Sequence, residues 1–143
     1  MRPDCIQLDA DVIRYSSREG GWELRIADVG VIGEATNGSG PWSIDYFLCF
    51  ATGPDLWFEA SFYADGRDDF LRALGRALGN PLELGLCSSV DLASRILWPP
   101  SLAGQPMFEY TDVPPKTWLG KLVGPLYKRQ SFSVPVAKAF AGR

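Results

Sequence analysis

The sequence predicts an α+β protein, an antiparallel meander sheet curved as a partial barrel and carrying one main amphipathic helix. Three observations predict it. The first sixty-odd residues alternate short β-like runs with turn residues, which is the pattern of a meander and not of βαβ units. At Asp65 the apolar period changes from two to that of a helix. A chain of 143 residues, 46% apolar and 13% aromatic, has the size and composition of one domain with a buried core.

The elements follow in order. Val12 to Ser17 and Trp22 to Ala27 flank Arg18-Glu19-Gly20-Gly21, a hairpin loop. In the second run Trp22, Leu24 and Ile26 share one face and Glu23 and Arg25 the other, as in a half-buried strand. Val29 to Ala35 reads as a third strand, with Gly30 and Gly33 marking a bend or bulge. Ile44 to Ala51 is apolar on nearly both faces and is the expected central strand. After Gly53-Pro54-Asp55, a fifth strand sets Leu56, Phe58, Ala60 and Phe62 against Trp57, Glu59, Ser61 and Tyr63. From Gly66 to Leu78 the residues Phe70, Leu71, Leu74, Ala77 and Leu78 form one helical stripe, with Asp65 as N-cap, Gly79 as terminator and Pro81 beyond. Leu82, Leu84 and Leu86 alternate as a sixth strand. A short helix is expected at about 89–97, ended by Trp98-Pro99-Pro100, and an extended segment from Pro106 to Tyr110.

Charge is segregated along the chain, whose formal net value is −3. Up to Asp112, eight arginines face seventeen carboxylates, a net −9; from residue 113 onward Lys116, Lys121, Lys128, Arg129, Lys138 and Arg143 give +6. The expected organisation is a globular body, 1–112, and a basic aromatic tail, 113–143, docked on the body or on a neighbouring subunit. No apolar run approaches the ~18 residues of a membrane span, and the first residues lack the apolar stretch of a secretory signal, so the cytoplasm is the expected location. Cys5, Cys49 and Cys87 are odd in number and widely spaced, and read as small core residues, not as disulfide or zinc ligands.

The chain has no histidine, which removes the commonest general base and metal ligand together. Carboxylates remain. Asp65, Asp68 and Asp69 lack the spacing of a calcium loop and read as acids favouring a helix dipole. Asp9 and Asp11 share a face if extended, and read as exposed acids at a strand end. Glu59, beside Trp57 and Tyr63, is the first place to look for a small-molecule site, because a carboxylate among aromatics can act as an acid. Arg95 with Ser88, Ser89 and Ser94 can form an anion pocket, against the plainer reading of capping serines and a solvated arginine. No cofactor or metal is implied.

In the tail, Trp118, Leu119, Leu122, Val123, Leu126 and Tyr127 recur at helical spacing among Lys116, Lys121, Lys128 and Arg129. A basic amphipathic segment suits an anionic lipid surface, yet Gly120, Gly124 and Pro125 weaken the helix, and packing against a protein surface is the leading expectation. The net negative charge argues against nucleic acid as a partner.

The run Trp22-Glu23-Leu24-Arg25-Ile26-Ala27-Asp28-Val29, followed by Ile32, resembles the early hairpin of bacterial pleckstrin-homology-like domains, over residues 10 to 79. The resemblance implies a curved antiparallel sheet closed by an amphipathic helix and a protein, peptide or phospholipid ligand, with no catalytic residues. Two departures stand against it: five strands precede the helix where the family has seven, and the first loop offers only Arg18, offset by Glu19. The sequence therefore points to a non-catalytic module binding a protein partner or a second copy of itself, masking of a basic partner being one version. The competing readings are membrane association through the tail and an enzyme or small-molecule binder using Glu59.

Overall fold

The structure, a computed structural model, describes residues 4–18, 20–36, 46–84, 93–112 and 128–141. The chain opens with a three-stranded antiparallel sheet, β1 (Cys5–Asp9), β2 (Val12–Ser17) and β3 (Gly20–Arg25), in the order β1-β2-β3. Strand β1 was not expected. Asp9 pairs with Val12, so Ala10 and Asp11 make the turn, and Asp9 and Asp11 do not lie along one extended face. β2 and β3 form the expected hairpin, but Gly20 and Gly21, expected in its loop, pair with Ser17 and Ser16 as the start of β3. Ile6, Ile13 and the partly buried Leu8, Tyr15, Trp22 and Leu24 form the inner face of this sheet.

A 3-10 turn, Ile26–Asp28, leads to the second sheet, in which β6 (Leu56–Ser61), β5 (Tyr46–Gly53), β4 (Val31–Thr36) and β7 (Ala93–Trp98) pair antiparallel in that order. β5 is a central strand, as its two apolar faces require. One face of this sheet carries Ile32, Leu48, Phe50 and Ala60, and packs on the inner face of the first sheet and on α1 (Arg67–Leu78) through Phe70, Leu71 and Leu74. The helix is delimited by two glycines with positive φ, Gly66 at 83° and Gly79 at 78°. Gly66, not Asp65, holds the N-cap position, and no side chain caps there.

The other face carries Val31, Ala35, Cys49, Ala51 and Ile96. It is covered by Met107, by a two-stranded sheet of β8 (Phe108–Asp112) and β9 (Lys128–Phe132), and by α2 (Val134–Ala141), whose Val136 and Phe140 are buried there. With both faces covered every residue of β4 is buried, Glu34 included, which shares the first face with Ile32 and lies opposite Leu48. Gly33 is needed at the contact: a methyl group on it would lie 2.3 Å from Met107 Sδ and 2.9 Å from the Arg95 carbonyl. The expected bulge falls there, as a register shift between Ile32 and Gly33 against β7.

Several expectations need correction. Ala93–Trp98 is a strand and not part of a short helix, because pairing with β4 buries Ile96 on one face and Leu97 on the other; residues 89–92 lie outside the described residues. Pro81 to Leu84 forms no strand, and Leu86 and Cys87 also lie outside them. Cys49 is a buried core residue, whereas Cys5 is exposed. The three sheets do not close into a barrel.

Candidate interaction site

The sequence places Trp57, Glu59 and Tyr63 on one strand face, and the structure gives them three different roles. Trp57 is half-buried, its ring 5.1 Å from that of Phe108 and 5.0 Å from that of Phe132, and so belongs to the second core. Glu59 is exposed and accepts a hydrogen bond at Oε1 from the Trp57 indole, 3.0 Å away. Tyr63 lies beyond the strand end, 60% exposed, edge-on to Phe62. Glu59 lies opposite Cys49, whose thiol is pushed well above its usual value by burial and, secondarily, by the Glu59 carboxylate.

The outer edge of β6 is partly closed, at Glu59 and Ser61, by side chains of the first sheet. The Trp22 indole donates to the Glu59 carbonyl at 3.0 Å, and the Ser61 amide donates to the Tyr15 hydroxyl at 3.4 Å. Such caps withdraw backbone groups that an open strand edge offers to other chains. At β7 the edge is closed likewise: the Ile96 amide donates to the Gln105 carbonyl and the Gly104 amide to the Ile96 carbonyl.

Arg95 and Ser94 do not form one pocket, because successive residues of a strand point to opposite faces. Ser94 Oγ accepts the amides of Met107 and Phe108, while Arg95 donates to the Glu83 carbonyl at 2.6 Å and keeps a buried Nε without a partner in the described residues. Ser88 and Ser89 lie outside the described residues. The acids of α1 are paired: Asp68 with Arg67 at 3.0 Å, and Asp69 with Arg72. Arg14, on the outer face of the first sheet, lies between Asp9 at 3.6 Å and Glu23 at 3.7 Å. No group of three metal-ligating side chains occurs among the described residues.

Of the tail residues singled out, Lys116, Trp118, Lys121, Leu122 and Leu126 lie outside the described residues, while Lys128 and Arg129 open β9 opposite Asp112 and Thr111. No helix among the described residues is long and apolar enough to cross a membrane.

The feature that sequence reasoning missed is the outer edge of β1. The Ile6 amide donates outward to the Asp65 carbonyl at 3.0 Å, and the Asp65 amide donates to the Asp4 carbonyl at 2.7 Å, so Asp65 sits on this edge as a one-residue parallel partner. Because bonding direction alternates along an antiparallel strand, Leu8 also turns its N–H and C=O outward, away from β2. Among the described residues neither group meets a partner. Beside this edge runs a cleft of about 580 Å³, with Ile6, Leu8 and Asp65 on one wall and Asp69, Ala73 and Arg76 of α1 on the other. Arg72 and Arg76 also line a second, mainly apolar pocket of about 410 Å³, formed where residues 80–82 turn back across α1 and present Pro81 and Leu82 opposite Leu71 and Gly75. The signal for the edge was the alternation Ile6, Leu8 before Asp9-Ala10-Asp11, a strand and a turn.

No family model, curated protein or solved structure matches the chain.

Proposed function

We propose that the protein is a non-catalytic protein-interaction module that receives an extended segment of its partner along the edge of β1. The observation that carries this reading is the outward Leu8 N–H and C=O bordering an open cleft, while the edges of β6 and β7 are partly capped from within the chain, at Glu59, Ser61 and Ile96. Strand addition to such an edge supplies affinity through main-chain hydrogen bonds. Beside the cleft Asp69 is paired with Arg72, which leaves backbone groups and shape to carry recognition there. Glu59 supports the same reading: it is exposed, held by Trp57, and lies outside the cleft.

The reading is tested by selecting peptides from a random display library on the immobilised full chain, then N-methylating each peptide amide in turn. Binders whose affinity collapses on methylation of one or two alternate amides are expected. If no peptide is enriched, or if methylation at every position leaves affinity unchanged, the reading fails. A substrate-hydrolysis screen that found a turnover lost in Glu59→Gln would favour the enzyme instead.

A further inference from the structure

We infer that the segment received at β1 carries a large apolar residue two positions from an acidic one, so that both side chains point to α1, the apolar one entering the pocket at its C-terminal end and the acid meeting Arg76. This rests on the strand-addition reading and deepens it. The cleft beside β1 and the apolar pocket flank Arg72 and Arg76, which stand one turn apart on α1 and line both. A long apolar side chain that passes over this pair from a segment on the Leu8 edge has a seat in the second pocket, and alternate side chains of an added strand find separate pockets in this mode of recognition.

Charge selects the second residue. Arg72 is engaged by Asp69, whereas Arg76 makes no ion pair among the described residues and is exposed at the junction. A guanidinium at that place, which presents a planar fork of donors, favours a carboxylate in the incoming segment. The pocket itself is formed because Gly75 admits the returning chain: the Asn80 carbonyl and Pro81 Cα would lie 3.1 and 3.4 Å from a methyl group there. The amides of Gly79 and Asn80 fix that return by donating to the carbonyls of Arg76 and Gly75. The pocket wall is thus held by the helix terminus and does not depend on a bound segment for its shape.

The test uses the enriched peptides and the full chain with Arg76→Glu. The expected result is a shared pattern of one acid two positions from one large apolar residue, with alanine at the apolar position weakening binding at least tenfold, as for an anchor in a pocket. Arg76→Glu is expected to weaken the acidic peptide about fivefold, the scale of an exposed ion pair, and replacing the peptide acid by lysine is expected to restore it. Peptides that bind in an N-methylation-sensitive way yet show no such pattern, and bind Arg76→Glu unchanged, overturn this inference while leaving strand addition standing. Loss of methylation sensitivity overturns both. Because Arg76 is exposed, its replacement leaves the core intact, which an unchanged circular dichroism spectrum checks.

Discussion

Ala10 has a backbone φ of 56°, in the left-handed region that a Cβ disfavours, because the β1–β2 connection has only two residues. Relief of that strain exceeds the added chain entropy of glycine, so Ala10→Gly is expected to raise the unfolding free energy by about 0.5–1 kcal/mol in chemical denaturation. Glu34 is fully buried and accepts the Tyr46 hydroxyl at 2.9 Å; Tyr46 in turn stacks on Phe62, over which Arg67 lies at 4.0 Å. Tyr46→Phe removes a hydrogen bond to a buried carboxylate and is expected to cost about 1–3 kcal/mol. The Cys49 thiol, raised by burial, stays neutral in the folded chain where the unfolded chain ionises. Its contribution is therefore complete below the ordinary thiol value, about 8.5, and declines as pH rises beyond it, by up to about 1.4 kcal/mol per unit. Comparing the alkaline stability profile with that of Cys49→Ala checks this: the variant should lose that part of the slope. Residue identity alone made Cys49 readable as core. It did not mark Glu34, because a lone acid in an apolar run reads the same whether it is solvated or paired.

At the scale of elements, what was legible is what local pattern determines. Phe70, Leu71, Leu74 and Leu78 define α1 by spacing, and Gly79 ends it by conformation. What was not legible depends on partners distant in sequence. Ala93–Trp98 contains Ser94, Arg95 and Leu97, which suit a helix as well as a strand, and only pairing with β4 decides. The Trp57 face looked polar-aromatic and open because Phe108 and Phe132, which cover it, come from segments some fifty and seventy-five residues later. Gly33 was legible as a bend, but its reason is a neighbour, Met107. Gly33→Ala is expected to force β4 and Met107 apart and to cost about 1–3 kcal/mol, the scale of overpacking, read as a shift in the denaturation midpoint. Pairing it with Met107→Ala tests the cause: the double variant should lose less than the sum of the two single changes.

For the whole molecule, the consequence of the topology is that the four-stranded sheet is buried on both faces, leaving that sheet only its edges for recognition. The second face is covered by β8, β9 and α2, so residues 128–141 belong to a core that also contains Val31, Cys49 and Ile96. The charge break after Asp112 was visible in the sequence, but Val134–Ala141 was not readable as a helix: Pro135 and a run of only eight residues give too little period to detect. Of the candidate site, Arg76 and Leu8 each looked like ordinary residues of their elements. Their value lies in the cleft that folding makes between them.

The central claim is that the C-terminal segment completes the second core and leaves recognition to strand edges, that of β1 among them. Molar mass by light scattering, measured for the full chain and for a version ending at Pro115, tests it most directly. Without β9 and α2, the second face would expose Ala51, Ile96, Met107 and Phe108, and an apolar patch of that kind drives association. Aggregation or high-mass species of the shortened chain, with the full chain of discrete mass, is the predicted result. A shortened chain that stays at a discrete mass and unfolds with the stability of the full one would contradict the account.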